Sequence, residues 1–114
     1  MYLYATPKTR AAKVVYVYAM EEKESIGQCD IWLPHYWIMG LRVNPQYRKQ
    51  GIATELLTFA IELGGKALFA GPFWDMPMDV KQLKQFYYKH GFVDVVEGPF
   101  PNWMVLQPIG RPNR

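Results

Sequence analysis

The stretch that decides the fold is residues 36–63, YWIMGLRVNPQYRKQGIATELLTFAIEL. It begins with Trp37–Val43, a compact apolar run that predicts a buried strand. Asn44-Pro45 ends this strand, because proline cannot extend a sheet ladder. From Ile52 onward the apolar residues recur at helical spacing, and Gly64-Gly65 supply a C-terminal stop. The stretch therefore predicts a strand, a tight turn and a helix.

The turn between strand and helix reads Arg48-Lys49-Gln50-Gly51. The first amides of a helix have no intrahelical partner, and the helix dipole makes that end positive. Gly51 allows a ligand to approach the backbone, while Arg48 and Lys49 add two positive charges. These features predict a phosphate or pyrophosphate site. The alternative is an ordinary strand-to-helix connection with solvated basic residues, since short glycine motifs often match by chance.

Composition narrows the class of protein. The chain has 114 residues, enough for one domain, and half of them are hydrophobic, so a real core is expected. The net charge of +3 suits a polyanionic ligand, but the cations are scattered and nucleic acid is not an expected partner. Cys29 is the single cysteine, and with His35 and His90 it forms no metal-ligand spacing. Without a signal peptide or a membrane-spanning run, we expect a cytoplasmic protein with no membrane partner.

Hydrophobic periodicity predicts the remaining elements. Further strands are expected at residues 1–5, 14–20, 25–33, 67–70, 92–96 and Trp103–Leu106, and a second helix at residues 80–90. A charged tip at residues 21–24 makes the second to fourth strands an antiparallel meander. Residues 67–70 should lie parallel to Trp37–Val43, since a helix connects them. The predicted fold class is α/β (α+β), with a mixed, mostly antiparallel sheet and two main helices in one domain, residues 1–114.

Two motifs in this order resemble the GNAT superfamily of N-acetyltransferases. Arg48-x-x-Gly51-x-Ala53 matches its Arg/Gln-x-x-Gly-x-Gly/Ala signature, and Phe86-Tyr87-x-x-x-Gly91-Phe92 looks like its second block. The resemblance spans residue 36 to about residue 106 and implies that the two parallel central strands splay apart. Family members usually carry one or two helices between their first two strands, and residues 6–13 leave no room for them. The resemblance thus implies a minimal GNAT core whose acceptor side is open, or is completed by a second subunit in a homodimer.

The resemblance also implies a ligand, acetyl-coenzyme A, with an amine as acceptor. The pantetheine arm would pair with the backbone of the fourth strand, where Gly40 fits either a bulge or a merely weakened strand. The residues implied in coenzyme binding are Leu41, Arg42 and Val43 for the pantetheine arm, and Arg48, Lys49, Gln50, Gly51, Ile52, Ala53 and Thr54 for the pyrophosphate. No residue is expected to bind a metal.

Tyr87 occupies the position of the tyrosine that protonates the departing thiolate in many family members. Thiol and phenol pKa values of ~8.5 and ~10 are close enough for assisted proton transfer. The alternative is a helix tyrosine that packs its ring and exposes its hydroxyl. Tyr88 points about 100° away on a helix and is the weaker candidate.

A general base is harder to identify. Many family members place a glutamate on the strand that matches Trp37–Val43, and this sequence has none there. The other candidates are His35, Asp75, Asp79, His90 and Glu97, with a water chain as the alternative. A second departure concerns an asparagine at the start of the second helix and an alanine within it, which Val80 and Leu83 replace here.

Two functions follow from this pattern. The first is N-acetyl transfer from acetyl-coenzyme A to a primary amine: a protein lysine, an N-terminus or a small amine. The missing helices favour a macromolecular acceptor. Phe73, Trp74 and Met76 would line its channel, or would simply cover the core. The second function is a weakly active or inactive module that binds coenzyme A or a partner protein without turnover.

Overall fold

A computed structural model describes residues 1–71 and 79–107 of the chain. Its seven described strands are β1 Tyr2–Ala5, β2 Val14–Glu21, β3 Glu24–Trp32, β4 Trp37–Val43, β5 Ala67–Phe69, β6 Phe92–Asp94 and β7 Trp103–Leu106. The described helices are α1 Ile52–Glu62 and α2 Val80–Lys89, and a 3-10 turn at Pro45–Tyr47 precedes α1. None of the helices in these ranges is long and apolar enough to cross a membrane.

The strands form one mixed sheet in the order β1-β2-β3-β4-β5-β7-β6. The three pairs β1–β2, β2–β3 and β3–β4 are antiparallel, which confirms the predicted meander. β4 and β5 are parallel through the pair Trp37–Ala67, as predicted from the helix that connects them. The mostly antiparallel α+β class is therefore confirmed. The predicted hairpin tip was too long, because Glu21 and Glu24 still pair across the turn.

Helix α1 packs against one face of β2, β3 and β4. Gly27 on β3 permits this close approach: a Cβ atom there would lie 2.9 Å from Cδ1 of Leu56. The same face of β2 buries Val15, Val17 and Ala19. Burial of such side chains is the main stabilising term of the fold, at about 25 cal/mol per Å² of apolar surface. This core therefore holds α1 at a fixed position along β4. It also fixes the position of the turn that begins the helix.

The opposite face of the first four strands is exposed. Tyr2 is 52% exposed, Tyr4 49%, Tyr16 41% and Trp32 44%. Residues 6–13, between β1 and β2, form a loop without a helix, as predicted. We define the open face as the face of β1–β4 opposite α1.

This open face corrects two sequence predictions. Both faces of residues 14–20 are apolar, a pattern that predicts a strand inside the sheet with both sides buried; the strand does lie inside the sheet, but only its α1 side is buried. Likewise Trp37–Val43 alternates, with its side chains buried on the α1 side and half-exposed on the other. An apolar run thus marked a central strand without showing how many of its faces are covered.

Helix α2 begins with a complete capping box. The Asp79 carboxylate accepts from the Gln82 amide at 2.8 Å, and the Gln82 side chain accepts from the Asp79 amide at 3.1 Å. The helix ends at His90, and Gly91 follows with a φ of 92°, as the predicted glycine stop requires.

We expect Asp79→Ala to destabilise the fold by about 1 kcal/mol, because the amides at the start of α2 lose their acceptor. For a domain of this size that corresponds to a fall in Tm of about 4–8 °C, measurable by circular dichroism. Asp79→Asn, which keeps an acceptor oxygen, is the matched control and should retain most of the stability. An unchanged Tm for Asp79→Ala would show that the box contributes nothing.

Candidate functional site

The turn before α1 presents an open helix N-terminus. Gly51 is the N-cap with φ 80°, and no side chain bonds to the first amides. The first intrahelical bond runs from the Glu55 amide to the Gly51 carbonyl at 3.1 Å, so the three preceding amides have no intrahelical acceptor. A Cβ at Gly51 would have no atom within 4 Å. The start of α2 is closed by the Asp79 carboxylate, whereas the start of α1 is free to bind an external anion.

Arg48 folds back onto the end of β4. Its Nε donates to the Val43 carbonyl at 3.0 Å, while its Nη2 is buried without a hydrogen-bond partner among the described residues. A buried guanidinium nitrogen without a partner is costly, so it favours an acceptor that the protein itself does not supply. Lys49 and Gln50 are exposed, and Lys49 has a positive φ of 65°. The turn therefore combines uncapped amides, an exposed lysine and a buried guanidinium nitrogen that lacks an acceptor among the described residues.

β4 separates from β5 beyond their first residue pair. In the described strands the parallel register consists of Trp37 with Ala67. On its other edge β4 pairs with β3, and there Gly40 and Leu41 together oppose Cys29. Gly40 has a φ of 66°, so of the two alternatives for this glycine the structure shows the bulge. The backbone of residues 41–43 thus lies beside β3 on one edge and pairs with no described strand on the other, at the end of β4 that leads into the α1 turn.

Tyr87 is a core residue, only 2% exposed. Its ring centroid lies 6.0 Å from that of Phe92 and 5.4 Å from that of Phe86. It belongs to the same continuous core as Leu41 of β4 and Leu56 of α1. Burial, and to a smaller extent the neighbouring Cys29, raises the pKa of Tyr87 well above its usual value. The phenol is therefore protonated at neutral pH, and in an acid–base step it can act only as a proton donor.

The neighbouring Tyr88 is exposed, and its hydroxyl donates to Asp94 Oδ2 at 2.6 Å. Asp94 also forms an ion pair with Lys84 at 3.1 Å. Tyr88 thus belongs to a surface cluster on α2 and β6 and lies on a different side of the helix from Tyr87.

The predicted base candidates are dispersed. His35 stacks on Trp37 with centroids 5.0 Å apart, Asp79 is engaged in its cap, and Glu97 is exposed. His90 contacts the Phe86 ring, and burial followed by the Lys89 charge lowers its pKa. Asp75 and the channel residues Phe73, Trp74 and Met76 lie outside the described residues.

Sequence reasoning missed a polar network on the open face. Gln28 Nε2 donates to Asp30 Oδ1 at 3.1 Å, and Arg42 Nη2 donates to Gln28 Oε1 at 2.7 Å. Arg42 Nη1 also donates to the carbonyl of Gly40 at 3.1 Å. The available signal was the spacing of Gln28 and Asp30, two residues apart on one strand. The missing information was the register, because the bulge at Gly40 decides that Arg42 faces them.

Cys29 points into the core and is fully buried. Burial, followed by the nearby Asp30 charge, raises the pKa of its thiol to about 12. A thiol is nucleophilic only as the thiolate, so Cys29 is a core residue poorly suited to act as a nucleophile.

Residues 12–94 match the family model described as the acetyltransferase (GNAT) domain. The chain belongs to the GNAT acetyltransferase family. No curated protein matches it in sequence. This membership supports an acyltransferase type of function and, in general, an acyl-coenzyme A donor.

Solved structures show the same fold. A protein assigned to the GNAT family from Bacteroides thetaiotaomicron is similar with a TM-score of 0.61 and 18% identity, over 91% of this chain and 67% of that chain. A protein assigned as an acyl-CoA N-acyltransferase from Klebsiella pneumoniae is similar with a TM-score of 0.52 and 16% identity. The match covers 82% of this chain and 70% of that chain. The anti-CRISPR protein AcrVA5 is similar with a TM-score of 0.50 and 20% identity, over 94% of this chain and 100% of that chain. At these identities the likeness concerns the fold alone.

Proposed function

We propose that this GNAT domain transfers an acetyl group from acetyl-coenzyme A to a primary amine of a protein, either a lysine side chain or an N-terminus. The observation that carries the proposal is the uncapped N-terminus of α1 at Gly51, directly after the strand that separates from its parallel neighbour. An open positive helix end beside a widening gap suits a ligand with a pyrophosphate and an extended arm.

The residues of the turn fit this coenzyme. The amides of Ile52, Ala53 and Thr54 would hold the pyrophosphate, and Gly51 leaves the space that a close approach requires. The buried Nη2 of Arg48 needs an acceptor, and Lys49 adds an exposed charge. Leu41–Val43 would pair with the arm through backbone groups. When bound, the coenzyme supplies a thioester, which activates the acetyl group toward an amine.

We assign Tyr87 the role of proton donor to the departing sulfur. Its raised pKa keeps the hydroxyl protonated, and no described residue accepts a hydrogen bond from it. It packs in the same core as Leu41 on β4. The hydroxyl would therefore meet the sulfur where the arm passes between β4 and α2.

The acceptor class follows from the open face. With no described helix over the open face of β1–β4, a folded protein or a peptide can approach β4 from this side. Exposed tyrosine and tryptophan side chains, such as Tyr16 and Trp32, are typical of surfaces that bind proteins. A second copy of this chain could cover the same face in a homodimer.

The test is a calorimetric titration with acetyl-coenzyme A, followed by incubation with a pool of lysine-containing peptides and mass spectrometry of the products. We expect saturable binding with one site per chain and a mass increase of one acetyl group on a subset of peptides. Binding by the protein without any acetylated product would reject the enzymatic proposal.

The second candidate function is a module that binds coenzyme A, or a partner protein, without turnover. One observation favours it: Tyr87 is nearly inaccessible, and a raised pKa makes its phenol a poor acid. This module and the enzyme share the first half of the test and differ in the second. The enzyme acetylates peptides, while the module shows only binding.

A further inference from the structure

We propose that Asp30 is the catalytic base, which takes the proton from a cationic acceptor amine as the amine reaches β4 across the open face. This inference rests on the function proposed above. Asp30 lies in the middle of β3, where it pairs with Tyr16 of β2 on one side and with Met39 of β4 on the other. Paired residues of antiparallel strands share a face, so its carboxylate stands on the open face.

Along the direction of the strands, Asp30 lies at the position where the acyl transfer should occur. If the pyrophosphate lies at Gly51, the arm must run back along β4 from Val43 toward the bulge at Gly40 and Leu41. Met39, the partner of Asp30, is the next residue. Neighbouring strands lie ~5 Å apart, so Asp30 is about 10 Å from the middle of the gap beyond β4. The carboxylate of Asp30 and a short chain of bridging waters can span that distance, because a water chain can also carry a proton to a general base.

The hydrogen bonds around Asp30 orient it without neutralising it. Gln28 donates to Oδ1 at 3.1 Å, and no described residue donates to Oδ2. Arg42 is held by the Gly40 carbonyl and by Gln28, so its guanidinium reaches the carboxylate only through Gln28. The ion pairs of the described residues lie elsewhere, at Met1–Glu21 and Lys84–Asp94. One carboxylate oxygen is thus left to accept a proton.

The electrostatic setting makes Asp30 more basic than an exposed aspartate. Partial burial raises its pKa, while the Gln28 hydrogen bond and the Arg42 charge oppose this and do not cancel it. The other titratable neighbours are Tyr16, which faces it from β2, and Cys29, the next residue of β3, which faces the core. A higher pKa increases the strength of the carboxylate as a base.

The aromatic side chains near Met39 suit an alkylammonium acceptor. Trp37, two residues before Met39 and on the same face, stacks on His35 and meets Trp103 edge to face with centroids 5.1 Å apart. An aliphatic stem can lie along such rings, and their faces attract a cationic head. A lysine ε-ammonium combines both parts. The favoured acceptor is therefore a lysine side chain.

Asp30 takes one proton from the ammonium through the bridging waters, and the freed nitrogen lone pair forms the bond to the acyl carbon. The carbon–sulfur bond breaks with its electron pair on sulfur, which takes the Tyr87 proton. The nitrogen then loses its second proton to water, and water returns a proton to Tyr87. Asp30 releases its own proton to solvent. The net change is one amide, one thiol and one proton.

The decisive variant is Asp30→Asn, which keeps the shape and removes the basic oxygen. With Nα-acetyl-lysine methylamide as acceptor at pH 7, we expect kcat/KM to fall about 100-fold or more, while the Kd for acetyl-coenzyme A stays unchanged by calorimetry. The defect should narrow toward pH 9.5, because a lysine amine with a pKa of ~10.4 then supplies its own neutral form. Glu24→Gln removes a carboxylate from the same strand, at its exposed end, and should match wild type.

A second test of the role of Asp30 uses the wild-type protein alone. In the complex with coenzyme A, adding the lysine probe should shift the carboxyl carbon resonance of Asp30, whereas that of Glu24 stays fixed. Normal turnover by Asp30→Asn, a defect that does not change with pH, or an unmoved Asp30 resonance would overturn this inference alone. Failure of wild type to bind acetyl-coenzyme A would overturn the proposed function together with it.

Discussion

Gly51→Asp is expected to abolish acetyl-coenzyme A binding while the protein stays folded. The site offers room for the side chain, since a Cβ at Gly51 has no atom within 4 Å. The backbone there has a φ of 80°, a conformation that aspartate and asparagine tolerate better than other residues with a side chain. The substitution therefore tests the ligand site with little disturbance of the turn.

The expected loss follows from charge. Two unit charges about 4 Å apart interact by about 4 kcal/mol at the effective dielectric constant near a protein surface. A carboxylate facing a pyrophosphate would therefore weaken binding about a thousandfold. The new carboxylate would also lie close to the amides that the ligand needs, as Asp79 does at the start of α2.

Gly51→Asn is the matched control, because asparagine has the shape of aspartate and no charge. Calorimetry should show a much smaller loss for this variant than for Gly51→Asp, and circular dichroism should show that both are folded. Equal affinity of folded Gly51→Asp and wild type would mean that the start of α1 is not the coenzyme site.

Local chemistry explains which parts of the fold could be predicted from the sequence. Asn44-Pro45, Gly64 and Gly91 each end an element through a backbone property of one or two residues, and each ends it in the structure. The parallel pair of β4 and β5 follows from the helix between them, because a parallel neighbour needs a crossover. These features depend on a few adjacent residues, so no distant contact is needed to recognise them.

The features that could not be predicted depend on register and on coverage. Asp30 appears as one acid in an apolar strand until the bulge at Gly40 brings Arg42 to its side of the sheet. The burial of Tyr87 depends on Phe92 and on core residues from several elements, which a helical pattern alone does not reveal. Coverage of a sheet face depends on the whole chain. An apolar strand has the same sequence pattern whether one of its faces is covered or both are.

Tyr87→Phe is expected to slow acetyl transfer without changing coenzyme affinity. The ring and its contacts with Phe86 and Phe92 remain, so the core should keep its packing. A positioned acid contributes ~10²–10⁴-fold in rate. Because burial raises the pKa of Tyr87, transfer of its proton to a thiolate with a pKa of ~8.5 is uphill. The expected loss is therefore near the lower end, about 100-fold in kcat.

This comparison also separates the enzyme from the binding module. The rate of acetyl transfer to the lysine peptide pool, and the Kd for acetyl-coenzyme A, are measured for wild type, Tyr87→Phe and Tyr88→Phe. Tyr88 is the matched control, since its exposed hydroxyl serves Asp94 on the other side of the same helix. The hydroxyl of Tyr87 matters chiefly as charge develops on sulfur, so a lower kcat with an unchanged Kd is the signature of its role. Equal rates for wild type and Tyr87→Phe would remove Tyr87 from the mechanism, and transfer by none of the three proteins would favour the module.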